Sequence, residues 1–128
     1  MLDHNSYGTI HRMVVGGNDK LLAQMRRGSI EYCVLALLQS GDRYGFEITR
    51  ELAAADGLVT SEGTVYPILT RLRNVGLVDT YWQESTEGPP RRYYQMTSEG
   101  ELALKPFVEQ WERFRDAVDA ILKRGPSK

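Results

Sequence analysis

A mainly α-helical fold with a small β-hairpin and a long C-terminal helix is what three features of this 128-residue sequence predict. Apolar residues recur at helical spacing in four stretches between Ile30 and Leu122. The period drops to two beyond Gly76 and returns to helical at Ser98. Glycines and capping residues stand between the periodic stretches.

Composition narrows the function classes before any motif is read. With 41% hydrophobic residues the chain can build one modest core. A net charge of −1 gives no global attraction to nucleic acid, so any such binding has to rest on a local patch. No apolar run approaches the roughly 20 residues of a membrane span, and no signal peptide is visible, so a cytoplasmic protein without a membrane partner is expected. Cys33, the single cysteine, lies in an apolar run and reads as a small buried hydrophobe. His4 and His11 have no Cys or carboxylate cluster at ligand spacing, so neither a metal nor a cofactor is expected. No nucleophile–base pair or phosphate-cradling glycine loop stands at usable spacing, and no catalytic residue is assigned.

Residues 1–19 lack periodicity and end in Gly16, Gly17 and Asn18, a flexible N-terminal arm. Leu21, Leu22 and Met25 suggest a short apolar turn. Ser29 can then cap a first core helix, in which Ile30, Cys33, Val34, Leu37 and Leu38 share a stripe and which Gly41 closes. Asp42 offers a cap for a second helix whose Tyr44, Ile48, Leu52 and Ala55 share a face and which stops at Gly57.

The third helix, over 61–75, organises the rest. Val65, Ile68, Leu69, Leu72 and Val75 form its apolar stripe, and Ser61 is its expected N-cap. Gly63, Pro67, Thr70 and Asn74 make the opposite face, with Thr64 and Arg71 on one flank and Tyr66 and Arg73 on the other. Past Glu62 that face holds no acid, so it can lie against a phosphate-lined groove without repulsion. An ordinary solvated helix face is the other reading at this point. Two helices joined by a Gly-containing link, the second with an acid-free polar face, make the helix-turn-helix arrangement that offers its second helix to the major groove.

The β-rich runs LVDTYWQE and RYYQMT, joined by STEGPPRR, read as a hairpin, hence a winged helix-turn-helix over 20–97. Its expected tip, Gly88-Pro89-Pro90-Arg91-Arg92, presents two arginines on a stiffened loop suited to phosphate or minor-groove contact. A merely solubilising turn is the alternative. Ser98 and Glu101 form a capping-box pattern for the last helix, over 98–124, ahead of a short tail at 125–128. Leu104, Trp111 and Val118 fall at heptad position a, and Phe107, Phe114 and Ile121 at d, with Val108 widening the stripe. A stripe of this width is expected to bury against a second copy of the chain, and Pro106 to bend the first turns.

From about residue 28 to residue 123 the chain resembles the PadR family of bacterial transcriptional regulators. The matching strings are RGSIEYCVLALLQSGDRYGFEI, EGTVYPILTRLRNVGLV and GPPRRYYQMTSEG. The resemblance implies a homodimer joined through its C-terminal helices, repressing by occupying a palindromic DNA operator and releasing it when a small molecule binds. In some members of the compact branch, tryptophans facing each other across the dimer axis stack flat aromatic ligands, and Trp111 matches that position. A planar aromatic or nucleotide-like effector would then sit among Phe107, Val108, Trp111 and Phe114, although a Trp at the centre of a two-fold interface can equally fill the slot itself. Thr70, Asn74 and Arg71 are the expected contacts to base edges or adjacent phosphates, since Asn suits adenine and Arg guanine. Ser61, Thr64 and Tyr66 are expected to hold backbone phosphates, with Gly63 and Pro67 on the same face and Arg91 and Arg92 adding wing contacts. The rival of a different class is a winged-helix protein-interaction module that binds no DNA, which the near-zero net charge favours.

Overall fold

The computed structural model describes Met25, residues 27–55, Leu58 and residues 61–126. Among them run α1 (Ile30–Gln39), β1 (Arg43–Tyr44), α2 (Gly45–Ala54), α3 (Glu62–Asn74), β2 (Val78–Ser85), β3 (Gly88–Met96) and α4 (Ser98–Leu122). The strands form one antiparallel sheet in the order β1-β3-β2. The chain is thus a winged helix-turn-helix with a long helix attached. The expected arm over 1–19, the apolar turn at Leu21 and Leu22, and the Gly57 stop lie outside the described residues.

One apolar core holds these elements together. α3 contributes Val65, Ile68, Leu69 and Leu72, and α2 contributes Ile48 and Leu52. Val78, Tyr94 and Leu104 close it from β2, β3 and α4. α1 departs from its expected stripe: Leu35 is wholly buried, whereas Cys33 and Leu37 are only partly so. The reason is that α4, β3 and α2 all pack against α1, so its buried side is wider than a single-faced helix needs. Each fully buried aliphatic side chain contributes about 1.5–3 kcal/mol.

Where the second helix begins is a further correction. Tyr44 lies in β1, paired with Tyr93 of β3, rather than on the helix face, and the Glu47 carboxylate accepts from the Tyr44 backbone N–H at 3.1 Å. Asp42 is not the cap, because its carboxylate accepts from the Tyr81 hydroxyl on the wing at 2.7 Å. Arg43 accounts for the extended backbone at this point. Its guanidinium donates to the Leu37 carbonyl, to the Gly41 carbonyl at 2.7 Å and to the Glu51 carboxylate, satisfying the C-terminus of α1 and fastening it to α2.

The third helix ends one residue earlier than its stripe suggests. Val75 is its C-cap and 62% exposed, and Gly76 follows with φ +82°. The Leu77 N–H bonds the Leu72 carbonyl at 2.9 Å and the Gly76 N–H that of Arg73 at 3.0 Å, a Schellman ending that only glycine adopts without strain.

Thr97, not Ser98, caps the last helix. Its hydroxyl accepts from the Gly100 N–H at 3.1 Å and donates to the Gly76 carbonyl at 2.7 Å, while its own N–H bonds the Leu77 carbonyl at 3.1 Å. Only from Thr97 can one hydroxyl serve both the start of α4 and the end of α3. Gly100 lets the two backbones approach, since a Cβ there would run into the Leu77 carbonyl oxygen and stand 2.7 Å from Met96 Cγ. We therefore expect Gly100→Ala to lower stability by about 1–3 kcal/mol, read as a lower midpoint in thermal or urea unfolding.

Candidate nucleic-acid interface

Because its apolar side is buried, α3 turns Gly63, Pro67, Thr70, Asn74, Tyr66 and Arg73 to solvent, and Ser61 stands exposed at its N-terminus. Thr64 is half-buried. Ser61 occupies the N-cap position with extended backbone and no side-chain capping bond, and its carbonyl accepts from the Thr64 N–H at 3.2 Å. Arg71 lies at the edge of the face, where the Glu31 carboxylate of α1 pairs with its guanidinium. That pairing has no sequence signal, since forty residues separate the partners.

Tyr66 marks where α2 crosses α3. A Cβ on Gly45 would come within 2.6 Å of the Tyr66 hydroxyl oxygen, so only glycine lets the ring lie over the start of α2. Burial, followed by the nearby Glu62 and Tyr94, pushes the Tyr66 phenol above its ordinary value.

The wing differs from the expected hairpin. Its turn is Thr86-Glu87, and Gly88 to Arg92 lie within β3 rather than at the tip. Arg91 pairs with Gln83 and Arg92 with Trp82, so the two arginines point to opposite faces of the sheet. A register shift between Gln83 and Ser85 accommodates the stretch holding Pro89 and Pro90, which have no N–H for the ladder.

Arg91 sits over the Tyr44 ring at 4.5 Å, on a face where Tyr93 meets Tyr44 edge-on at 5.5 Å and stacks with Tyr81 at 5.6 Å. Arg92 lies over Trp82 at 5.9 Å and donates to the Thr80 hydroxyl at 3.2 Å, while its buried Nε has no hydrogen-bond partner. Glu84 and Glu87 are exposed beyond the arginines toward the turn. Neither sequence pattern nor charge count separates a tip arginine from a strand arginine; the bulge decides it.

The residues expected to meet a partner or effector divide into two groups. Leu104 is 3% exposed within its own subunit and does not belong to the exposed stripe. Phe107 is half-buried and stacks on Tyr32 of α1 at 4.1 Å. From there the rings continue outward, Phe107 to Trp111 at 5.8 Å and Trp111 to Phe114 at 6.1 Å. Trp111, Phe114, Val118 and Ile121 all remain exposed, and every described residue from 108 to 126 is exposed in the single chain. Met25, Arg27, Phe107, Trp111, Phe114 and Val118 line an open groove of about 1010 Å³. Val108, 58% exposed, faces a separate groove of about 630 Å³ with Leu102 and Lys105. Among the described residues no group of three or more His, Cys, Asp or Glu could hold a metal ion, and no helix is long and apolar enough to cross a membrane.

With this geometry in place, comparison with known proteins gives a consistent answer. The Transcriptional regulator PadR-like family matches residues 34–106. A PadR-like transcription factor from Bacteroides fragilis, solved by X-ray, is 42% identical, the match covering 77% of this chain and 95% of that one with a TM-score of 0.65. A PadR-like transcriptional regulator from Bacillus cereus is 31% identical, covering 80% and 99%, with a TM-score of 0.71. A PadR family transcriptional regulator from Eggerthella lenta is 29% identical, covering 94% and 98%, with a TM-score of 0.69.

The hydrogen bond to Asp42 first, then desolvation and that residue's charge, raise the Tyr81 phenol above its ordinary value. A phenol that holds its proton more tightly folded than unfolded stabilises the fold below its unfolded value, near pH 10, and loses that contribution as pH rises through the folded value. Asp42→Asn should bring one tyrosine's ionisation to lower pH in an absorbance titration of tyrosinate, and Tyr81→Phe should delete that same late transition.

Proposed function

We propose, from the premise that this chain belongs to the Transcriptional regulator PadR-like family and is a DNA-binding transcriptional regulator, that it is a cytoplasmic homodimeric repressor of a palindromic operator, released by a small molecule at the dimer interface. The observation that carries this reading is the division of α3 into a buried apolar side and an exposed side, free of acids past Glu62, that bears Thr70 and Asn74.

In this reading the unit over 20–97 binds DNA and the helix over 98–124 joins the subunits. A two-fold axis through the α4 pair sets two α3 helices about 34 Å apart, one turn of duplex, so each enters its own major groove. Thr70 and Asn74 then reach base edges. Ser61, Gly63, Thr64, Tyr66 and Pro67 approach the backbone at the helix start, where unbonded N–H groups favour an anion. Arg91 and Arg92 act from partway along the wing, Arg91 as the freer of the two because Arg92 is tied to Thr80.

The exposed Trp111, Phe114, Val118 and Ile121 support the dimer, since each large apolar side chain buried there contributes about 1.5–3 kcal/mol. A planar aromatic or nucleotide-like effector at Trp111 would lower DNA affinity only as far as it binds better to a dimer whose α3 helices stand at the wrong spacing.

Fluorescence polarisation with duplexes from a random-sequence selection tests the reading. Asn74→Ala should cost about 1–3 kcal/mol of discrimination at one base pair per half-site while leaving non-specific binding nearly unchanged. Arg91→Ala should weaken binding to all sequences and reduce the slope of log affinity against log salt by about 1. Phe114→Ser with Ile121→Ser should shift the dimer toward monomer by roughly 3 kcal/mol or more in analytical ultracentrifugation.

A further inference from the structure

The pair between Glu31 and Arg71 stands where the DNA face begins. Arg71 lies on α3 beside Thr70, and Pro67 and Asn74, four residues before and three after, are its neighbours on the helix surface. Its side chain is 56% exposed and that of Glu31 28%, so the arginine is the outer partner of a pair at the rim rather than in the core. A carboxylate and a phosphodiester offer the guanidinium fork the same thing, two anionic oxygens at matching spacing. A pair this exposed is weak and readily exchanged, whereas a duplex presents one phosphate charge per 1.7 Å of axis.

We infer that Glu31 occupies the phosphate position of Arg71 in the free protein and gives up the arginine to a backbone phosphate when α3 enters the groove, so that the acid opposes DNA binding. The inference rests on the DNA-binding reading above and assigns Arg71 to the backbone rather than to a base. It also gives α1 a part in binding. Tyr32, the next residue after Glu31, stacks on Phe107 of α4 at 4.1 Å, so the turn of α1 that carries the carboxylate is anchored to the aromatic stripe of α4.

A double-mutant cycle tests it. Wild type, Glu31→Gln, Arg71→Ala and the double variant are titrated, as full chains, against the tightest duplex from a random-sequence selection at several salt concentrations. Glu31→Gln should tighten binding about 2- to 5-fold when Arg71 is present and leave affinity unchanged when it is Ala. Arg71→Ala should lower the salt slope by about 1 without changing base preference. Equal tightening by Glu31→Gln in both backgrounds would show that Glu31 acts as a general negative charge and would overturn the exchange. So would no tightening, or weaker binding, with Arg71 in place. If the wild type selects no duplex at all, the DNA-binding reading fails and takes this inference with it.

Discussion

Burial of Val65, Ile68, Leu69 and Leu72 on one side of α3 decides what the rest of the molecule can present. A helix of thirteen residues is marginal alone in water, so its orientation follows from the core it enters rather than from its own propensity. The stripe also keeps the helix intact across Pro67. The lost N–H and the crowded ring fall on the exposed side, where water can serve the Gly63 carbonyl and where Gly63 has no side chain to clash. The residue that weakens the ladder therefore sits where weakening costs least.

That orientation is passed to the wing and to α4 through short-range bonds. Thr97 joins the Schellman end of α3 to the first turn of α4, and Gly100 lets that turn press on Leu77. The wing is held at two further points, where β1 extends the sheet and where Tyr81 bonds Asp42. Arg43 connects the ends of α1 and α2 at the same corner. α3, the hairpin and the start of α4 are thus one packed unit with little freedom to move separately. In a dimer formed through α4, a displacement at the α4 stripe would move the α3 helices as whole bodies.

Much of this was legible in the sequence, and the parts that were not share a cause. Helical spacing located the four helices from Ile30 onward among the described residues, a period of two located the hairpin, and the spacing identified Val65, Ile68, Leu69 and Leu72 as the buried side of α3. It left Leu35 off the buried stripe because periodicity assumes one buried face, whereas three elements pack against α1. It missed β1 because two residues carry no period. The cap of α4 was given to Ser98 rather than Thr97 because only the bond to the distant Gly76 carbonyl distinguishes the two, and Asp42 was taken for a cap although its carboxylate is engaged by the distant Tyr81. The wing arginines were taken for tip residues because Gly-Pro-Pro resembles a turn, and only the register shift opposite Gln83 and Ser85 shows that it is strand. Local rules found every element but β1; contacts between elements, which periodicity does not encode, set the details of the face.

The same segregation answers the objection raised by a net charge of −1. Asp and Glu are abundant on α4, with Glu109, Glu112, Asp116 and Asp119 along its exposed surface, while α3 from Gly63 to Asn74 carries Arg71 and Arg73 and no acid. At physiological salt charges are screened beyond about 8 Å, and α4 is about 37 Å long, so acids on its outer turns do not cancel the field at α3. A few acids do stand near enough to matter: Glu62 opens α3 beside Tyr66, Glu31 faces Arg71 directly, and Glu84 and Glu87 lie toward the turn of the wing. Affinity for an anionic partner is then governed by these few local charges rather than by the total, which is why the net charge of the chain says so little about what it binds.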